Sequence, residues 1–364
     1  MGVFVRALTL FLCLGLVACA PRGIIVVDPG AQGTGTNYPV FYGTSRRADP
    51  VRQYGSRRSQ NIAFGRLDVS VPPDHETGAI EISGSNPDPL RHFVATQDTR
   101  FSSADDFRAA LRTELRSRPS GERLAIVYVH GFNNNFAEGV YRLAQISHDF
   151  GLPEVTVHYS WPSAGHPLGY GYDRDSVLFA RDGLEELLET VQSAGAEKIL
   201  LMGHSLGALL TMETLRQMAI SDSSVLRRTL GGVVLISPDI DVEVFHQQAM
   251  RIGKLPQPFV IFASEKDRAL RLSARLTGQP NRLGTLTNAN AISDLEVTVF
   301  DVTNFSTGLD GHFTAASSPS LIRILSLLPM VESSFRNDRA GRLDLLQGTV
   351  LTVQSATQVV LSPL

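Results

Sequence analysis

The sequence predicts an α/β architecture: a mostly parallel central sheet flanked by helices. Three observations predict it. Short apolar segments rich in β-branched residues recur along the chain. Helix-like stretches separate them. Of the 364 residues, 43% are hydrophobic and 19% charged, enough apolar content for a large core and too much for a disordered chain.

The candidate strands are 38–43, 64–72, 124–130 (LAIVYVH), 155–160 (VTVHYS), 198–203 (KILLMG), 231–237 (GGVVLIS), 258–263 (PFVIFA) and 295–301 (LEVTVFD). The middle ones are apolar on both faces, as buried parallel strands are. The candidate helices are 104–116, 135–149, 174–193, 206–219 and 318–328. The first opens with Ser103 and two early acids, Asp105 and Asp106, which is an N-terminal cap signature. Strands alternating with helices give a doubly wound sheet, with 38–72 as an antiparallel edge. The stretch 331–364 reads either as a packed final strand or strap or as a disordered tail.

Lys and Arg number 33 and Asp and Glu 36, so no basic field attracts nucleic acid. Both cysteines, Cys13 and Cys19, lie near the start, which removes internal disulfides and thiolate metal sites from the rest of the chain. HExxH, CxxC and GxxxxGK[ST] runs are absent. The chemistry expected here needs no cofactor and no metal.

Residues 1–18 read as an export signal: Arg6 precedes an apolar run shorter than the roughly 20 residues that span a bilayer. Leu16-Val17-Ala18-Cys19 resembles the lipobox of bacterial lipoproteins. The resemblance implies cleavage after Ala18, acyl chains on Cys19 and a membrane anchor. The Ala20-Pro21 pair after the cysteine carries no inner-membrane retention Asp, which favours the outer membrane of the cell envelope. Residues 19–36 then read as a flexible tether, and 37–330 as the folded domain.

The strongest chemical signal is KILLMGHSLGALL, which holds the pentapeptide Gly203-His204-Ser205-Leu206-Gly207 between an apolar strand and an amphipathic helix. Small residues at both flanks permit a sharp turn that exposes a serine at a helix N-terminus. A serine hydroxyl needs a base. Two histidines follow Ser205: His246, in a helix-like stretch, and His312, beside Gly311 in a loop after the last strand. The loop histidine is the better base. The acid that orients it is Asp267, after strand 258–263; the pair Asp239 and Asp241, after the preceding strand, is the second choice, and Glu265 is expected to be exposed. Two backbone N–H groups should stabilise the oxyanion, one on Leu206 and one on Phe132 in the loop His130-Gly131-Phe132-Asn133. His130 is expected to shape that loop rather than to catalyse.

These residues resemble a bacterial α/β-hydrolase family whose members are described mostly as esterase- or lipase-like proteins of unknown function. The likeness runs over 38–315 through FYGTSR, VYVHGFNNNF, YSWPSAG with Tyr170 and Asp173, MGHSLGA, SPDID, SEKDRALRLSARLTGQPNRLG and GH. It implies an α/β-hydrolase fold, with Ser205, Asp267 and His312 as a triad and Phe132 and Leu206 at the oxyanion hole. Trp161 and Tyr170 are candidates to line an acyl pocket, although packing of the loop on the sheet edge is the favoured reading of Trp161. Arg46, Arg47, Arg52, Arg57 and Arg58 form a basic run that reads as a solvated face or as internal ion pairs, with contact to anionic lipid as the lesser alternative. The 20 or so residues between strands 231–237 and 258–263 are too few for a large cap, so an open site is expected.

The leading expectation is a cell-envelope serine hydrolase acting on a carboxylic ester, small molecule or lipid. An acyltransferase with the same triad and a non-catalytic envelope binding lipoprotein are the alternatives. Oligomeric state is left open.

Overall fold

The computed structural model describes residues 22–286, 288–305, 311–326, 348–353 and 355–362. The export signal and lipobox lie outside them. Eleven strands form one sheet among the described residues. In chain order they are β1 (Thr36–Asp49), β2 (Gln53–Val71), β3 (Val94–Phe101), β4 (Leu124–Val129), β5 (Val155–Ser160), β6 (Lys198–His204), β7 (Leu230–Ile236), β8 (Phe259–Ala263), β9 (Thr298–Asp301), β10 (Gly348–Val353) and β11 (Ala356–Leu361). The order across the sheet is β3-β2-β1-β5-β4-β6-β7-β8-β9-β11-β10. All pairs from β1 through β5, β4, β6, β7, β8 and β9 to β11 are parallel. The antiparallel pairs lie at the two edges: β1–β2 and β2–β3 at one, β10–β11 at the other.

The helices are α1 (Ala104–Arg116), α2 (Phe136–Asp149), α3 (Tyr170–Phe179), α4 (Arg181–Ser193), α5 (Leu206–Thr229), α6 (Val242–Ile252), α7 (Arg268–Thr277), α8 (Thr314–Ser317) and α9 (Pro319–Ser326). Their starts follow local chemistry. Ser103 caps α1 through Asp106 N, and Asn135 and Glu138 close a reciprocal capping box on α2. The stretch expected as one helix over 174–193 is two, meeting at Ala180. α5 is longer than expected and is interrupted at Asp222. The loop expected after β8 turns into α7.

The central strands are buried on both sides. One core joins β4–β8 to α1, α4, α5 and α6, and a second joins β1–β4 to α2. The strand order reverses between β4 and β6, whose connections leave in opposite directions. A crevice at the carboxyl ends of the strands is expected at that switch point. The stretch expected as a flexible tether differs over 22–35. Arg22 there donates to Asn133 O at 2.7 Å and pairs with Glu138 at 2.6 Å, and Val27 bridges to Ala95. Those bonds hold it against the domain.

Candidate active site

β6 ends at His204 and α5 begins at Leu206. Ser205 alone makes the turn, at φ 54° and ψ −121°. A non-glycine residue in that region costs on the order of 1–3 kcal/mol, a strain that turns seen at functional sites commonly carry. Ser205 N–H donates to Ile236 O at 3.0 Å, which ties the turn to the end of β7. The flanking glycines are required by contact. A Cβ on Gly207 would stand 2.3 Å from His130 O, and one on Gly203 would stand 2.6 Å from Thr211 Oγ1.

Asp267 follows β8 and caps α7: its Oδ1 accepts Leu270 N–H at 2.9 Å. Its Oδ2 lies 2.7 Å from His312 Nδ1, and the carboxylate has no exposed surface. A carboxylate only accepts, so the imidazole proton sits on Nδ1 and leaves Nε2 as the basic nitrogen. His312 is tied to the elbow as well. His204 Nε2 lies 3.1 Å from the His312 carbonyl, and the two rings are 4.8 Å apart. Burial, and then the neighbouring His312, hold the His204 pKa well below its usual range, so His204 stays neutral. Asp267 is bonded to His312, and His312 packs on His204, the residue before Ser205, so the three candidates come from three connections at one rim of the sheet.

The loop after β4 closes the other side. A Cβ on Gly131 would stand 3.0 Å from Ser205 Cβ, so this backbone passes directly over the serine. Among the described residues, the N–H groups of Phe132 and Leu206 donate to nothing within the protein. Backbone donors left unpaired at such a place are available to an incoming oxyanion.

A buried polar layer fixes that loop. His130 Nδ1 lies 2.9 Å from Gly131 O, and Nε2 lies 3.1 Å from Trp161 O. Burial, reinforced by Arg46, pushes the His130 pKa far down. Arg46, at the end of β1, reaches Ser160 Oγ, Gly55 O, Ser163 O and Asn134 O. It is buried, not part of a surface run, and burial lowers its pKa to about 10, so it remains a cation. Asp173 on α3 is its buried counter-charge. It accepts from Ser163 Oγ at 2.6 Å and from Ala164 N at 2.6 Å. Burial raises the Asp173 pKa against those donors.

The pocket candidates separate. Trp161 has no exposed surface: it stacks on His130 with centroids 4.9 Å apart and donates Nε1–H to His130 O at 2.7 Å. It therefore packs the loop and presents nothing to a substrate. Tyr170 is half-buried against Phe132, with centroids 5.5 Å apart, and donates to Asp239 Oδ2 at 2.8 Å. Burial and then Asp239 push its pKa up to about 12. Asp239 also accepts from Ser273 Oγ and sits 3.4 Å from Arg282, while Asp241 caps α6. Both second-choice acids thus have structural partners. His246 lies on α6 and pairs with Asp294 at 2.8 Å, and Glu265 is exposed.

Two clefts of about 870 and 750 Å³ flank α6 on either side of Arg282. None of the three candidates lines them, so their size says nothing about the chemistry at Ser205. Among the described residues no cluster of three or more His, Cys, Asp or Glu could hold a metal ion. Arg46 and His204 were not singled out from the sequence as parts of the site. A lone Arg closing an apolar strand, and a His inside the pentapeptide, were the signals available.

Among solved structures, the chain is similar to one described in a study of two prolyl endopeptidases, at 13% identity and TM-score 0.34 over 82% of this chain and 39% of that one. It is also similar to a lipase-esterase related protein from Clostridium acetobutylicum, at 12% identity and TM-score 0.24 over 55% of this chain and 80% of that one. The chain thus spans well under half the length of the first. Likeness that slight bears on neither mechanism nor substrate. No curated protein matches. The family described as "Alpha/beta hydrolase of unknown function (DUF900)" matches residues 103–328, which is more than half of the sequence, and the chain belongs to that family.

Proposed function

We propose that this protein is a serine hydrolase of the cell envelope that cleaves carboxylic esters through Ser205, His312 and Asp267. The observation that carries this reading is the 2.7 Å Asp267–His312 contact, which directs the Nε2 side of the imidazole away from the carboxylate beside the strained Ser205 turn. Ser205 Oγ attacks the ester carbonyl while His312 Nε2 takes its proton. The N–H groups of Phe132 and Leu206 stabilise the oxyanion, and loss of one such donor costs roughly 3–4 kcal/mol. His312 returns the proton to the departing alcohol, leaving an acyl-serine. Water, deprotonated by the same nitrogen, then releases the acid. Acylated Cys19 anchors the chain, with the outer membrane as the favoured location.

One labelling experiment tests both halves. A fluorophosphonate probe is expected to mark the protein in isolated envelopes, and Ser205→Ala to remove the mark. The marked band is expected to leave the membrane fraction in Cys19→Ser. Labelling that survives Ser205→Ala would refute the nucleophile. A membrane fraction unchanged by Cys19→Ser would refute the anchor.

A further inference from the structure

α7 is unusual among the helices. It crosses the carboxyl edge of the sheet, from Asp267 after β8 to Ser273, whose hydroxyl bonds Asp239 after β7. Only Leu270 and Ser273 of its side chains are buried. Its other face is exposed and divided: Arg268, Arg271 and Arg275 form one stripe, and Ala269, Leu272 and Leu276 the next. Lys266 precedes the helix, also exposed. Between 265 and 282 the carboxylates are Asp267, which is buried, and Glu265. Exposed leucines beside an unbroken arginine stripe are the composition of a helix that lies in a lipid interface, apolar chains in the acyl boundary and cations at the headgroups.

The opposite flank of the same edge repeats the pattern. β1 runs parallel to β5, so its carboxyl end reaches the edge where Ser205 stands. The β1–β2 hairpin projects past it, with Val51 84% exposed at the tip and Arg47, Arg52 and Arg57 exposed around it. Leu168, in the connection after β5, is 89% exposed. Between the two flanks, Arg22 is bonded to Asn133 of the loop over Ser205. Cys19 is three residues from Arg22 in sequence, and three residues span at most about 11 Å.

We propose that this rim of the sheet docks on an anionic lipid bilayer, with α7 and the β1–β2 tip as its two contacts. The proposal deepens the envelope reading of the same site and rests on it only for the anchor at Cys19. A chain held at Cys19 has its catalytic rim turned to the bilayer, and the two basic, apolar contacts fit that surface. An ester at the lipid–water boundary then meets Ser205 without leaving the membrane.

The test uses the full chain with Cys13→Ala and Cys19→Ala, so that acylation plays no part. An environment-sensitive fluorophore is attached through Leu272→Cys, or through Met250→Cys at the far end of α6 as the control. Each labelled chain is mixed with phosphatidylcholine vesicles, with and without phosphatidylglycerol. The expected result is a blue shift at position 272 only, with anionic vesicles only, reversed by salt. Arg268→Gln, Arg271→Gln and Arg275→Gln together are expected to weaken partitioning on the order of a hundredfold. The pair Leu272→Gln and Leu276→Gln, assayed by vesicle sedimentation, should also weaken it and serves if the arginine variant does not fold. No shift at 272, equal shifts at both positions, or an equal shift with neutral vesicles would overturn the proposal. A concentration-dependent shift without vesicles would overturn it too, because the face would then join two copies. Ester hydrolysis in solution, measured on the same chain, separates this failure from failure of the catalytic reading.

Discussion

Arg46 carries a full charge into the interior, and Asp173 is what makes that tolerable. The two do not touch; Ser163 joins them, giving its carbonyl to Arg46 and its hydroxyl to Asp173. Together they hold the backbone just after Phe132: Arg46 donates to Asn134 O, and Asp173 accepts from Asn133 N–H. Removing one member of a buried opposite-charge set typically costs about 3–5 kcal/mol, because the survivor is left uncompensated. Asp173→Asn, which keeps the shape, is expected to lower unfolding stability by about 3 kcal/mol, read from denaturant midpoints. Arg46→Met should cost a similar amount, and the double variant less than the sum. Strict additivity would show that the charges are uncoupled. Ser205, Asp267 and His312 were legible as candidates because each sits in a motif with chemical spacing. Arg46 was grouped with its neighbours at 47, 52, 57 and 58 because composition does not reveal which arginine of a run points inward. The strand beneath it does: β1 is buried continuously from Val40 to Arg46.

The elbow is the element in which local sequence and long-range packing agree most closely. Strand, turn and helix are each legible from KILLMGHSLGALL, and the two glycines mark where other backbone presses in. Gly207→Ala tests that pressure. The added methyl meets Val129 O at 2.5 Å and His130 O at 2.3 Å, both backbone atoms that have nowhere to retreat. Overpacking of this kind costs about 1–3 kcal/mol. Activity should suffer more than stability, because α5 and the Phe132 loop separate and the N–H groups of Phe132 and Leu206 part with them. A displacement of about 1 Å at reacting groups is worth on the order of a hundredfold in rate. Ester turnover should fall to that extent with KM nearly unchanged; a wild-type kcat would dissociate the glycine from catalysis. Other elements were hidden for stated reasons. β3 (VATQDTRF) has a polar centre because it is the outermost strand at its edge, so it lacks an apolar run. α7 lacks the broad apolar stripe of a core helix because only one narrow side of it packs. β10 and β11 are apolar enough to be strands, but nothing local says that they join the sheet beside β9.

At the scale of the molecule, the segment between β2 and β3 is fastened across the structure to α2 and to the segment that follows His312, and the fastening is ionic. His75 lies between two carboxylates, with Nδ1 2.9 Å from Glu81 and Nε2 3.0 Å from Asp149. Asp149, at the end of α2, also accepts Gly78 N–H at 2.7 Å. The Gly78 backbone lies directly against Ser317 of α8, and Gln145 of α2 donates to Ala316 O. α8 follows His312 without a break, so the clamp at His75 bears on the segment that carries His312. Burial of His75 disfavours its charge, but the bonds to Asp149 and Glu81 outweigh it and the net pKa is raised. Asp149 is lowered: burial works against ionisation, and bonds from His75, Gln145 and Gly78 overcome it. His148, 5.2 Å from His75 ring to ring and bonded to Tyr38, is pushed down by burial and then by His75. It therefore gives up its proton at lower pH than His75 does. A raised folded-state pKa means that the His75 contribution is complete below the unfolded value of about 6.5 and disappears as pH rises through the folded value. The depressed His148 acts oppositely, opposing stability only as pH falls below its unfolded value. The thermal midpoint should therefore decline between mildly acidic and mildly alkaline pH, and His75→Gln should flatten that decline while lowering the acidic plateau. Proteolysis within 72–93 should accelerate over the same pH interval in the parent protein and be fast throughout in the variant. A parent midpoint that holds level across the interval would mean that the imidazole is not charged between its two carboxylates, and the clamp would then be an ordinary neutral contact.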